Sequence, residues 1–195
     1  MKLYVITPFS RTVANIQAIC NSLHSVAENT VTEWIIVYQH AVGHELLEWY
    51  RGTETKLNLA VRLLRGNTAT SYYGNSYRNH AVGQLQNERD AWVYFLDDDT
   101  IMHPHFSRLL NALCPDDEVV FFSQVWRSME LRLDPSHICV GSVDTAMILA
   151  RSDIIKRYKW DEEEYTADGR IAEELAANHR SRAIFEPYCF YNYLR

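Results

Sequence analysis

Residues 92–100 read WVYFLDDDT. Trp92, Val93, Tyr94, Phe95 and Leu96 form an unbroken apolar run, and a run of that length bounded by polar residues reads as a buried strand. Asp97, Asp98 and Asp99 follow with no spacing. Carboxylates about 4 Å apart repel by roughly 1 kcal/mol in water and by about 4 kcal/mol at an effective dielectric of 20, so the cluster calls for a compensating positive charge. Carboxylate oxygens suit Mg2+ and Mn2+, and magnesium takes only one or two protein carboxylates before completing its shell with water and phosphate oxygens. Such an ion would bring a diphosphate to the strand end. The alternative is that Asp98 or Asp99 caps a helix beginning near Pro104 while the others are solvated.

Outward from this stretch, short apolar runs alternate with segments of helical period. Residues 3–6, 34–38 and 57–64 read as strands. Val13, Ile16, Ile19, Cys20 and Leu23 fall on one face of a helix, residues 45–50 form a short helix, and a further helix carries Ala81, Val82 and Leu85. The loop GNTATSYYGNS, residues 66–76, precedes that last helix. Strand and helix alternating in this way imply an α/β fold, with right-handed crossovers and a mostly parallel sheet covered by helices on both faces. Ligands of such sheets sit at the carboxyl ends of the strands, where the strand order reverses. The three aspartates lie at one such end, and Pro8, Phe9, Ser10 and Arg11 lie at another. Past the aspartates, residues 104–113 and 171–178 read as helices and residues 118–124, 143–150 and 183–188 as strands. Residues 125–141 are irregular.

With 195 residues, 47% apolar and 23% charged, the chain has the balance of one folded domain, which divides into halves at residues 1–100 and 101–195. A net charge of −6 argues against binding a nucleic acid polymer. A single nucleotide can still meet a local basic patch. No apolar run approaches the ~20 residues of a transmembrane segment, and residues 1–10 lack the parts of a signal peptide. The expectation is a cytoplasmic protein, or a domain working with a further domain or partner chain. Cys20, Cys114, Cys139 and Cys189 are widely spaced and read as buried thiols rather than zinc ligands or a disulfide framework.

VYFLDDDT (93–100), preceded by RNHAV (78–82), resembles the DxD region of the metal-dependent nucleotide-sugar glycosyltransferases with the GT-A fold. LYVITPFSR (3–11) and WIIVYQH (34–40) resemble in particular the inverting glucuronyltransferases of the proteoglycan linker, which carry TPTYxR, QRNxAL and VYFADDD. VDTAMILA (143–150) is similar to that family's VDMAGFAV, a strand under the acceptor site. The likeness covers residues 3 to about 175 in patches. It implies a GT-A-like fold, Mn2+ or Mg2+ as cofactor, and transfer of a sugar, with inversion, from a nucleotide-diphosphate donor, UDP-linked in that family, to an acceptor hydroxyl. Asp99 would be the direct metal ligand, with Asp97 and Asp98 on the ribose side or behind the metal. Pro8 and its neighbours would pack on the base, and Arg78 would approach the diphosphate. That last role also follows from the pairing of a guanidinium with phosphate oxygens, with a surface ion pair as the alternative.

The chain departs from the family where an acidic pair reads uracil: here Tyr38, Gln39 and His40 stand, so the base contact falls to the Gln39 amide, whose preferences differ. The segment between the nucleotide and metal motifs is also shorter. For the catalytic base two carboxylates compete. Asp168, in TADGRIAEEL, lies before a helix, as does the base of the broad bacterial inverting family. Asp134, in LDPSH, resembles the acid of the glucuronyltransferase EPSR motif. Glu173 is a third candidate. Asp before Pro is also ordinary turn chemistry, and Asp near a helix start an ordinary cap. Acidic strand ends serve metal-dependent nucleotidyl and phosphoryl transfer too, and a nucleotide-sugar-binding domain without turnover is a further alternative.

Overall fold

Along the first strand, side chains alternate between two cores. Leu3 and Val5 belong to one apolar cluster, and Tyr4 and Ile6 to another on the opposite face. Trp34 and Ile36 against Ile35 and Val37 repeat the pattern, as do Trp92 and Tyr94 against Val93 and Phe95. Successive residues of a strand point to opposite faces, so runs apolar at every position require cover on both sides.

The computed structural model describes residues 1–26, 31–54, 57–66, 74–86, 88 and 90–194. Its strands are β1 (Lys2–Phe9), β2 (Glu33–Tyr38), β3 (Val61–Arg65), β4 (Ala91–Phe95), β5 (Ile101–Met102), β6 (Val119–Trp126), β7 (Leu131–Leu133), β8 (Ile148–Arg151) and β9 (Ser181–Tyr191). Its helices are α1 (Val13–Val26), α2 (Gly43–Thr53), α3 (Asn75–Gln84), α4 (Phe106–Asn111), α5 (Ser152–Ile155) and α6 (Ala167–Asn178). One sheet runs in the order β3-β2-β1-β4-β8-β6-β9-β5, with β7 paired to β6. From β3 to β4 every pairing is parallel. Then β8 enters antiparallel between β4 and β6, while β6 and β9 run parallel. Ile16, Ile19 and Leu23 of α1 pack with Phe106 and Leu109 of α4 on one face. Tyr77 and Ala81 of α3, Ile154 of α5 and Leu175 of α6 cover the other. The α/β expectation, with helices on both faces of one domain, holds.

The chain order reverses at β1: β2 and β3 build to one side and β4 to the other. That is the switch point at which open α/β sheets bind ligands. The ends of β1 and β4 meet there.

Several elements differ from expectation, each for a local reason. Residues 143–150 are not one strand. The Asp144 carboxylate accepts the Ala146 N–H at 3.1 Å and starts a single 3-10 turn, Thr145–Met147, before β8 begins; a local side-chain cap competes with extended backbone. The last strand runs eleven residues rather than the six expected, because its pairing with β6 starts at Ser181 and continues to Tyr191 through a register shift around Ser123, as a bulge permits. Helix α6 begins before residue 171, and α4 is shorter than residues 104–113. Residues 67–73 of the expected 66–76 loop lie outside the described residues. Of the cysteines, Cys20 and Cys189 are buried, whereas Cys114 and Cys139 are exposed, each in a turn outside the strands and helices. Among the described residues no helix is long and apolar enough to cross a membrane.

Candidate functional site

A cleft of about 430 Å3 opens at the switch point. Pro8, Ser10, Arg11, Gln39, Arg78, Asp97, Asp98, Asp99 and Asp168 line it, together with Gly74, Tyr77, Tyr165, Tyr191 and Asn192. Of the residues singled out in the sequence, Phe9 is fully buried in the core beneath. Asp134 is not among the lining residues; in its own turn, hydrogen bonds from the Ser136 side chain and from the Ser136 N–H, the latter at 2.8 Å, hold its carboxyl below the usual range. Glu173 is exposed and accepts the Val140 N–H at 3.0 Å.

Two guanidinium groups answer the repulsion within the triplet. Arg11, just past β1, donates from Nε to Asp98 Oδ1 at 2.7 Å and from Nη2 to Asp99 Oδ2 at 2.8 Å. Asp98 Oδ2 also accepts the Ser10 N–H at 2.8 Å and Ser10 Oγ at 3.2 Å, so this aspartate staples the β1 loop to the β4 loop. Burial pushes the Asp98 carboxyl up, and the bonds from Ser10 and Arg11 oppose that rise. Arg78, on α3 and only 2% exposed, donates to Asp97 Oδ1 at 2.5 Å and to Asn75 Oδ1 at 2.9 Å. Its Nη1 lies 3.9 Å from Asp168 Oδ1.

Asp168 sits in the first turn of α6, where its Oδ1 accepts the Trp160 indole N–H at 2.9 Å. The neighbouring Gly169 explains how α6 reaches that place. A Cβ there would stand 2.5 Å from Val140 Cα, closer than real atoms approach, so glycine lets the helix pack on residues 139–140. Gly74 has φ +79°, the left-handed region that glycine enters without steric cost, and a Cβ there would fall 2.8 Å from Pro8 Cβ at the cleft wall.

One partly buried acid behind the cleft was not singled out from the sequence. Asp144 pairs with Arg132 Nη1 at 3.1 Å. The Arg132 guanidinium lies 3.4 Å from the centroid of the Tyr191 ring, which faces the cleft, and Tyr191 in turn meets Trp126 edge-on. Burial pushes Asp144 up to about 6; the negative charges of Asp97 and Asp168 add to this, and Arg132 and the Ala146 N–H oppose it. The folded value lies above the ordinary 3.8. Stability from this group is therefore fully present below about pH 4 and is lost as pH rises through about 6. Asp144→Asn should accordingly gain thermal stability relative to the wild type as pH increases across that window, by several degrees; melting curves at pH 4.5 and 7.5 check it, and a difference that shrinks with pH contradicts it. An aspartate before Thr145 was the available signal, as a cap rather than as part of a strand.

The donor set suits a hard cation, being all carboxylate oxygens. Among the described residues no three His, Cys, Asp or Glu side chains are gathered to hold a metal. An ion here would thus take one or two carboxylates and need further oxygen ligands, which is how magnesium binds beside phosphates.

No protein-family model matches the sequence, and no curated protein matches it significantly. Solved structures do match in fold. TarS from S. aureus superposes with a TM-score of 0.73 at 17% identity, covering 97% of this chain and 60% of that one. A mannosyltransferase from Pyrobaculum calidifontis, in complex with GDP-Man and Mn2+, gives 0.69 at 16% identity, over 95% and 54% of the two chains. Glucosyl-3-phosphoglycerate synthase from Mycobacterium tuberculosis, with Mn2+, UDP and phosphoglyceric acid, gives 0.60 at 13% identity, over 91% and 65%. The chain thus spans less than two thirds of each of these neighbours. What it shares with them is their fold, the GT-A-like arrangement of glycosyltransferases.

Proposed function

We propose that the cleft binds a nucleoside-diphosphate sugar, UDP-linked, together with Mn2+ or Mg2+, and transfers the sugar to an acceptor hydroxyl with inversion. One observation carries this reading: three carboxylates, two guanidinium groups and a further carboxylate from α6 converge on one cleft at the switch point. Mn2+ with a nucleotide or nucleotide sugar in two of the structural neighbours supports it.

In this reading residues 1–100 form the donor side. Pro8 and Gln39 meet the base, Asp97 and Asp98 face the ribose or the second shell of the metal, Asp99 holds the cation, and Arg11 and Arg78 face the diphosphate. When bound, the cation supplies positive charge against the leaving diphosphate. Residues 101–195 form the acceptor side and contribute Tyr165, Asp168, Tyr191 and Asn192 to the cleft. Asp168 accepts the proton of the attacking hydroxyl. It lines the cleft, whereas Asp134 does not, and a general base must reach the proton it takes.

UDP should raise the melting temperature of the chain only when Mn2+ is present. A ligand at about 100 times its Kd stabilises by about 2.7 kcal/mol, or several degrees for a chain of this size. EDTA, or Asp99→Asn, should abolish the rise. A full response in Asp99→Asn would remove the cation from this residue. Release of UDP from UDP-sugars in the presence of acceptor saccharides then tests turnover, and pyrophosphate release from a nucleoside triphosphate would point instead to nucleotidyl transfer.

A further inference from the structure

Asp99 already has a cationic partner, supplied by the chain. Arg11 Nη2 donates to Asp99 Oδ2 at 2.8 Å while Arg11 Nε stays on Asp98 Oδ1 at 2.7 Å. We propose that Arg11 is a resident counter-ion for Asp99, which it yields to a divalent cation when a nucleotide diphosphate arrives to take up the guanidinium. The inference rests on the reading of the cleft as a metal and diphosphate site.

A guanidinium proton and a metal ion compete for the same oxygen lone pairs, so Asp99 Oδ2 cannot serve both at full strength. The two arginines of the site differ in their freedom to give way. The Arg78 side chain is 3% exposed and is held by Asn75 and Asp97, with Asp168 close by. The Arg11 side chain is 35% exposed and stands at the cleft lip. Its Nε partner, Asp98, is fixed by the Ser10 N–H and hydroxyl. Arg11 therefore has an anchor at Nε and room at Nη2. Turning about that anchor offers Nη2 to a phosphate oxygen, for which a guanidinium is well suited.

Cation and nucleotide should then bind cooperatively. Alone, the cation has to displace Nη2 with only water to receive it, whereas with a diphosphate present the displaced group gains an anionic partner. By linkage the coupling is reciprocal.

The experiment uses the full chain, with free Mn2+ followed by electron paramagnetic resonance and UDP binding by calorimetry. Arg11→Gln should bind Mn2+ alone about tenfold more tightly and UDP at saturating Mn2+ about tenfold more weakly, each tenfold step being an ordinary increment for one charged contact. Opposite signs in one variant are what a merely structural role would not produce. Arg11→Lys, whose single ammonium cannot span both carboxylates as the fork does, should fall between, and it carries the test if Arg11→Gln does not fold. If the cation uses Asp99 Oδ1 and leaves the Arg11 bond standing, Mn2+ affinity will not change in Arg11→Gln, and the inference fails. It fails equally if both affinities move in the same direction. Wild-type chain that takes up no Mn2+ and UDP together would overturn the underlying reading instead.

Discussion

Asp168→Asn should lower turnover by about a thousandfold while leaving Mn2+-dependent UDP binding within about twofold. A positioned general base contributes typically 10^2 to 10^4 in rate, and the amide cannot accept a hydroxyl proton at neutral pH. The substitution is otherwise mild. An asparagine oxygen can keep the bond from the Trp160 indole N–H that positions this side chain, and Arg78 keeps its closer partners Asp97 and Asn75. Steady-state UDP release and calorimetry on the same preparation separate the two effects. Undiminished turnover would remove Asp168 from the role of base.

Arg78→Ala should cost roughly 3 kcal/mol of folding stability, the low end of what breaking a buried ion pair costs, because the guanidinium is enclosed while its Asp97 partner is partly exposed. This is the largest stability effect expected of any single side chain at the site. The guanidinium is almost wholly enclosed and stands between Asp97 and Asp168, whose charges also reach Asp144. Without it those partly exposed carboxylates lose the cation that stands between them. The loss should be partly recovered as pH falls, because protonation then relieves repulsion that the folded state alone suffers. Urea titrations at pH 5 and 7.5 would show this as a smaller deficit at the lower pH. A deficit below about 1 kcal/mol at both values would mean that Arg78 acts as an ordinary surface pair. Arg11→Gln, at a partly exposed residue, should be much milder in this respect.

The parts of the fold legible in the sequence were those set by periodicity. β1, β2 and β4 are apolar on both faces, so their runs announce a doubly covered sheet, and the aspartates after Leu96 mark a strand end. The meeting of the β1 and β4 ends follows from the reversal rule once the strands are placed. What was not legible depends on partners far apart in the chain. Arg11 and the carboxylates it bridges are separated by 87 and 88 residues, so the positive charge demanded by the triplet pointed first to an external ion, although the chain supplies two guanidinium groups of its own. Asp144 was hidden inside an apolar stretch, because its cap converts the start of a presumed strand into a turn. The last strand extends past both ends of the expected residues 183–188, since a shift of register in its pairing with β6 leaves no trace in hydropathy.

The Leu194 N–H donates to the Asp99 carbonyl at 3.2 Å. This link joins main chain to main chain, just beyond Tyr191 and Asn192. It acts as a tie rod between the two banks of the gap, and short of proline at position 194 no side-chain replacement deletes its donor. The bond between these two stretches is thereby independent of which side chains face the cleft.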